Sequence, residues 1–203
     1  MAKKSTARQP GADRILDAVL DLCAERRWRD VTMEAIAEAA GASMQRVHEF
    51  FPARSSILAA LIARTDKAVL AGHDFSDSEE PYRERLLDVL MRRFDALSTH
   101  KTAIRSILRD FGADPATAVC SLPAFANSMA WSLEAAGIRA TGLPGIVRIK
   151  GLGLIYLSAL RVWLEDDSPD LSATMARLDR DLRRAEALVT SIPGRRSVGK
   201  VDD

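Results

Sequence analysis

Thr32-Met-Glu-Ala-Ile-Ala-Glu-Ala-Ala-Gly41-Ala-Ser43-Met-Gln-Arg-Val47-His-Glu-Phe50-Phe51 reads as two short helices hinged on a glycine. The Thr32 hydroxyl can cap the free amides of the residues after it. Gly41 breaks the helical pattern left by Ile36, Ala37 and Ala40, Ser43 can cap a further helix, and Pro52 follows its end. Two helices crossing steeply need a small residue at their approach, a glycine at the turn and an apolar residue locking the second helix down. Ala37, Gly41 four residues on and Val47 six further, with Ile36 and Phe50, meet those demands at the spacing of a DNA-binding helix-turn-helix, over residues 32–51. The second helix then exposes Met44, Gln45, Arg46, His48 and Glu49. Gln pairs with adenine and Arg with guanine in the major groove. Thr32, His48 and Arg54 fall at helix ends or on the outward face, where phosphate contacts are expected. The same spacing also arises in a helical corner with no nucleic-acid role.

Helical periodicity continues outward from this segment in both directions. Ile15, Leu16, Val19, Leu20, Leu22 and Cys23 form one apolar face before it, and Ile57, Leu58, Leu61, Ile62 and Val69 mark a longer helix after it that fades at Gly72. His73–Glu80 is polar and acidic and reads as a linker. Further helices are expected over Pro81–Thr99, Lys101–Phe111, Asp114–Ala136, Ile146–Leu164 and from Pro169 to Thr190. With no β-alternation, the expected fold is all-α with about nine helices. A flexible basic arm (1–12) precedes an N-terminal helix-turn-helix domain (13–72). A C-terminal helical bundle for ligand binding and dimerisation (73–190) and a disordered tail (191–203) complete it.

The chain's 203 residues are 47% hydrophobic and 28% charged, with 29 basic and 28 acidic residues, so the chain as a whole is no electrostatic magnet for nucleic acid or anionic lipid. Residues 1–54 hold nine Lys or Arg and eight Asp or Glu, which leaves any basic footprint local. Cys23 and Cys120 share no metal-ligand spacing, and His48, His73 and His100 stand beyond helical reach of one another, so no metal and no cofactor is expected. Neither a nucleophile–base pair nor a phosphate loop is present, which disfavours an enzyme. No apolar run follows the basic start, and Gly151–Leu160 is too short to span a bilayer. These features imply a reduced, cytoplasmic protein with no membrane role.

In the C-terminal half, Met91, Phe94, Phe111, Phe125, Met129 and Trp131 suit either a packed core or, with Leu152 and Tyr156, a pocket for a small lipophilic ligand. The run Gly151-Leu-Gly-Leu-Ile-Tyr-Leu-Ser-Ala-Leu160 is apolar all round and must be buried on every side. Gly151, Leu160 and Trp163, paired with the stripe Leu171, Met175, Leu178, Leu182 and Val189, fit half of a four-helix homodimer interface, though burial within one chain serves equally.

Residues from about Asp13 to Ala68 resemble the N-terminal domain of the tetracycline-repressor (TetR) family of transcriptional regulators. The resemblance is carried by Arg14-Ile-Leu-Asp-Ala, by Trp28-Arg-Asp-Val-Thr32 through Ala-Gly41-Ala-Ser43, and by Val47-His-Glu-Phe50-Phe51-Pro52-Ala-Arg54. It implies a homodimer on a near-palindromic double-stranded operator, with Thr32 and Arg54 at phosphate-contacting positions and Ser43–Arg46 facing bases. It also implies dimerisation through the last two long helices and sensing of a lipophilic effector. His48 stands where the family usually has Tyr, and Met44 and Gln45 where Lys and Gly are frequent. Residues Tyr82–Ala187 further resemble the lipid-binding ubiquinone-biosynthesis accessory proteins, on Ile155-Tyr156, Ser158, Leu160, Trp163-Leu164, Asp166-Asp167-Ser168, Asp170, Thr174 and Leu178-Asp179-Arg180. Two functions are thus expected: a DNA-binding regulator, a repressor released by its effector, or a lipid- or quinone-precursor-binding protein that no longer binds DNA.

Overall fold

The computed structural model of the protein describes residues 11–71 and 80–190. Among the described residues there are nine α-helices and no strand, as the periodicity implies. They are α1 (Ala12–Glu25), α2 (Met33–Ala40), α3 (Met44–Phe50), α4 (Arg54–Leu70), α5 (Tyr82–Ser98), α6 (Lys101–Asp110), α7 (Pro115–Ala135), α8 (Gly142–Glu165) and α9 (Ser172–Thr190), with a 3-10 turn at Trp28–Asp30. The arm, except for its last two residues, the linker before Glu80 and the tail from 191 lie outside the described residues.

The chain divides into two compact units. Described residues 11–68 and 95–128 form the first, and 69–71, 80–94 and 129–190 the second. The first therefore takes in α6, which the sequence reading assigned to the C-terminal half. Ala103 and Ile107 enter the same core as Ile15, Val19, Trp28, Ile36, Val47 and Ile57. Asp110, wholly enclosed, then ties α6 to the 3-10 turn: Oδ2 accepts from the Arg29 backbone N–H at 2.9 Å and Oδ1 from Arg27 Nη2 at 2.9 Å. The Arg29 hydrogen bond and the Arg27 charge, acting against desolvation, hold this carboxyl below its usual range. Ser106 Oγ accepts from the Trp28 N–H and donates to Arg26 O. Cys23 lies in this core, where burial pushes its thiol up to about 12 and leaves it inert.

In the second unit α8 packs on α9. The Phe94 ring stacks on Tyr156 at 5.1 Å and meets Trp163 at 5.7 Å. Between the two helices Ser158 donates to Asp181 Oδ2 at 3.2 Å, and Arg177 donates to both. Asp166 ends α8 and holds the start of α9. Its Oδ2 accepts from the Thr174 N–H at 2.8 Å and hydroxyl at 2.7 Å, its Oδ1 from the Ser168 N–H and hydroxyl. Between them Leu171 adopts φ +50, a conformation costly for a bulky side chain and kept by its burial within this network.

Desolvation alone would raise the Asp166 carboxyl, but the Ser168 and Thr174 hydrogen bonds outweigh it and hold the group at about 2, below its ordinary 3.8. A carboxyl depressed by folding contributes stability that is full above the unfolded value and is lost as pH falls through the folded one. Thermal melting should therefore decline between about pH 4 and pH 2, and Asp166→Asn should flatten that part of the profile. Parallel melting curves of the two proteins check this; identical slopes would deny the network its role.

The residues of two groupings lie in different surroundings. Leu160, Trp163, Leu171, Leu178 and Leu182, expected at a subunit contact, are buried within the chain; of the same set Gly151 and Met175 are exposed, and the Val189 side chain lies outside the described residues. An apolar stripe records which side of a helix is covered and not by whom. The large apolar α8 side chains left exposed are Leu143, Ile146, Val147, Leu154 and Leu157. The eight residues grouped as a pocket are also divided. Phe111 and Phe125 belong to the first unit, with Phe111 packed on its core. Met91, Phe94, Met129, Trp131, Leu152 and Tyr156 belong to the second, where Trp131 is exposed and Phe94, Met129, Leu152 and Tyr156 are buried. By length and composition α8, at 24 residues, is sufficient to cross a membrane, unlike the ten-residue segment considered from sequence. It carries Arg148, Lys150 and Arg161, charges that hydrocarbon penalises, and Lys150 is exposed well inside the helix.

Candidate nucleic-acid interface

The α2–α3 pair is built as its sequence dictates. Thr32 Oγ1 accepts from the Ala35 N–H at 3.1 Å and Ser43 Oγ from the Arg46 N–H at 3.1 Å, so both helices start on a side-chain cap worth about 1 kcal/mol each. At the end of α2, Gly41 adopts φ +62. The Ala42 N–H reaches Ala37 O at 2.8 Å and the Gly41 N–H reaches Glu38 O at 3.0 Å, the paired bonds of a left-handed helix stop. Ile36, Ala37, Ala40 and Val47 are buried beneath the turn and set the crossing of the two helices.

Met44, Gln45, His48 and Glu49 are exposed on α3, and Arg46 is half-exposed. These side chains occupy one short helix projecting from the core, which is the geometry a major-groove reader requires. Thr32 and Ser43 are also exposed, and their hydroxyls are already engaged as caps. Gln45 Nε2 donates to Glu49 Oε1 at 3.1 Å, and Arg46 Nη1 to Glu49 Oε2 at 3.0 Å. The Arg46 guanidinium also lies 4.3 Å from the centre of the Phe50 ring.

Arg54, expected at a phosphate contact, already has partners within the chain. It turns inward, donating from Nη1 to Val31 O at 2.6 Å and from Nη2 to Trp28 O, with its guanidinium 3.9 Å from the Trp28 ring centre. Desolvation pulls its pKa below the ordinary arginine value, against the attraction of Asp114. Its work is to join the start of α4 to the 3-10 turn. Two other residues went unassigned in the sequence reading. Arg14 on α1 is exposed and brings Nη2 within 3.6 Å of where a Gly41 Cβ would stand, placing a cation beside the turn. Glu49 was read only as an outward residue, although its spacing of three and four from Arg46 and Gln45 is the signal for the pairing observed.

Among the described residues no three His, Cys, Asp or Glu side chains gather as a metal site would need. No family model matches the chain, and no curated protein matches it in sequence. Solved structures do share its fold. A TetR transcriptional regulator from Nitrosomonas europaea ATCC 19718 gives a TM-score of 0.68 at 21% identity, over 86% of this chain and 97% of that one. A TetR transcriptional regulator from Rhodococcus sp. RHA1 gives 0.64 at 17% identity, over 89% and 96%. A TetR-family transcriptional regulator from Streptomyces coelicolor gives 0.58 at 21% identity, over 88% and 81%. The chain thus has the fold of the TetR regulators.

Proposed function

We propose that the protein is a transcriptional regulator that reads duplex DNA through α3. The observation that carries this reading is the capped, glycine-hinged α2–α3 pair with Met44, Gln45, Arg46 and His48 on its outer surface. The protein acts as a homodimer in the cytoplasm and represses by occupying a near-palindromic operator, with its two recognition helices about one DNA turn, roughly 34 Å, apart. Self-association uses the exposed side of α8 with Met175 on α9, an apolar surface that water leaves uncompensated. A small lipophilic effector, accommodated among Phe94, Met129, Leu152 and Tyr156 of the second unit, releases the DNA by shifting α4 and with it the helix spacing.

The competing reading, a lipid- or quinone-precursor-binding accessory protein without DNA binding, rests on the pattern from Ile155 to Arg180. Members of that pattern have packing duties here: Tyr156 and Trp163 against Phe94, Ser158 with Asp181, and Asp166 with Ser168 and Thr174. Those duties account for Ser158, Asp166, Ser168 and Thr174 without a lipid.

Selection of bound duplexes from a random DNA pool tests the proposal. The expected result is an enriched palindrome whose recovery is lost on Arg46→Ala. Failure to enrich any sequence, even at low salt where phosphate contacts are strongest, would overturn it.

A further inference from the structure

Glu49 is a chemical exception on the reading surface. DNA faces a protein mainly with acceptors: the phosphates, guanine N7 and O6, thymine O4 and adenine N7. A carboxylate placed among them is repelled unless it meets a donor, and the major groove offers only the amino groups of cytosine N4 and adenine N6. Glu49 nonetheless stands exposed on α3, one helical turn from both base-reading side chains, and holds each of them with one oxygen. The hydrogen bonds from Arg46 and then Gln45 also hold its carboxyl below the usual range, so it is ionised wherever DNA binds.

Those contacts leave Glu49 able to do more. An ionised carboxylate offers about four acceptor positions, and the two observed bonds use one on each oxygen. The group can therefore keep Gln45 and Arg46 in place and still accept from a base. Between the two possible donors, the adenine amino group stands beside the N7 acceptor, which repels the second carboxylate oxygen. The cytosine amino group has no acceptor on the groove edge of its own base, and it is the recognised partner of acidic side chains.

We infer that Glu49 is a specificity-determining residue of the DNA reader, accepting a hydrogen bond from cytosine N4 in each half-site while it steadies Gln45 and Arg46. Sites that present guanine or thymine at that point are rejected by repulsion, so the residue works as much by exclusion as by attraction. This rests on the reading of α3 as a DNA-binding helix.

The test carries the full-length protein, Glu49→Ala and Glu49→Gln through the same random-duplex selection at one salt concentration, with thermal melting to show that all three fold. The unsubstituted protein is expected to enrich one cytosine per half-site. Glu49→Ala is expected to lose that preference by roughly 10-fold, with a smaller loss at the positions read by Gln45 and Arg46, which it steadies. Glu49→Gln is expected to move it toward adenine, the base that Gln pairs with. An unchanged base preference in Glu49→Ala, or an affinity gain equal for all sequences, would overturn the inference and leave DNA reading intact. Enrichment by none of the three proteins would overturn both.

Discussion

Arg54→Ala is expected to lower stability by about 3 kcal/mol, from the loss of charge-assisted hydrogen bonds and of a partly desolvated cation–π contact. The guanidinium satisfies the Val31 and Trp28 carbonyls together and covers the Trp28 ring, which is itself almost wholly buried. Removing it takes the side-chain donor from the Val31 carbonyl, leaves the Trp28 carbonyl with the Val31 N–H alone, and opens space beside a large aromatic side chain. Lysine should not restore the loss, because a single ammonium cannot span both carbonyls while lying flat on the indole. Urea unfolding followed by circular dichroism and tryptophan fluorescence measures the change. The phosphate-contacting role read from sequence makes the opposite forecast, with DNA affinity falling and the unfolding midpoint unmoved. That outcome would restore the earlier assignment.

Leu154→Glu is expected to abolish the proposed self-association through α8. Leu154 is 71% exposed on α8, and with Leu143 and Val147 it makes a row along that helix at spacings of four and seven residues. Such a row is the pattern of a helix packed against another helix. A glutamate there costs the single chain almost nothing, but a dimer would have to bury an unpaired carboxylate. The dissociation constant should rise by roughly 100-fold or more. Sedimentation equilibrium provides the readout, with melting temperature as the control for folding. A dimer of unaltered affinity in Leu154→Glu would exclude this face from self-association.

Much of the architecture was legible because local chemistry and global packing agree. Thr32, Gly41 and Ser43 announce their helix boundaries through capping and backbone conformation, and the structure places each of them in the role its chemistry implies. Asp114-Pro115 and Gly137 bracket α7 in the same way. What escaped the sequence were facts about partners distant along the chain. Arg54 sits in register with a family motif, yet its partners are carbonyls 23 and 26 residues earlier, and nothing in a linear pattern specifies them. Trp131 looks like core from its type and is exposed, while Leu178 fits a subunit contact and is buried within the chain. Glu49 is the instructive case, because the spacing that pairs it with Arg46 and Gln45 was in plain view and only its consequence was missed.

The bond between Asp110 and the 3-10 turn bears on how such a protein can be recombined. Anyone exchanging N-terminal segments between proteins of this fold would cut after α4, the helix that follows the α2–α3 pair. In this chain that cut would strand Ala103 and Ile107 on one side and the core they complete on the other, and it would leave Arg27 and the Arg29 amide without their carboxylate. The transferable module is instead discontinuous, residues 11–68 together with 95–128. Substitutions on α6 can therefore change how α3 is held without lying anywhere near it in sequence, so the properties of the α2–α3 surface need not be inherited with the N-terminal segment alone.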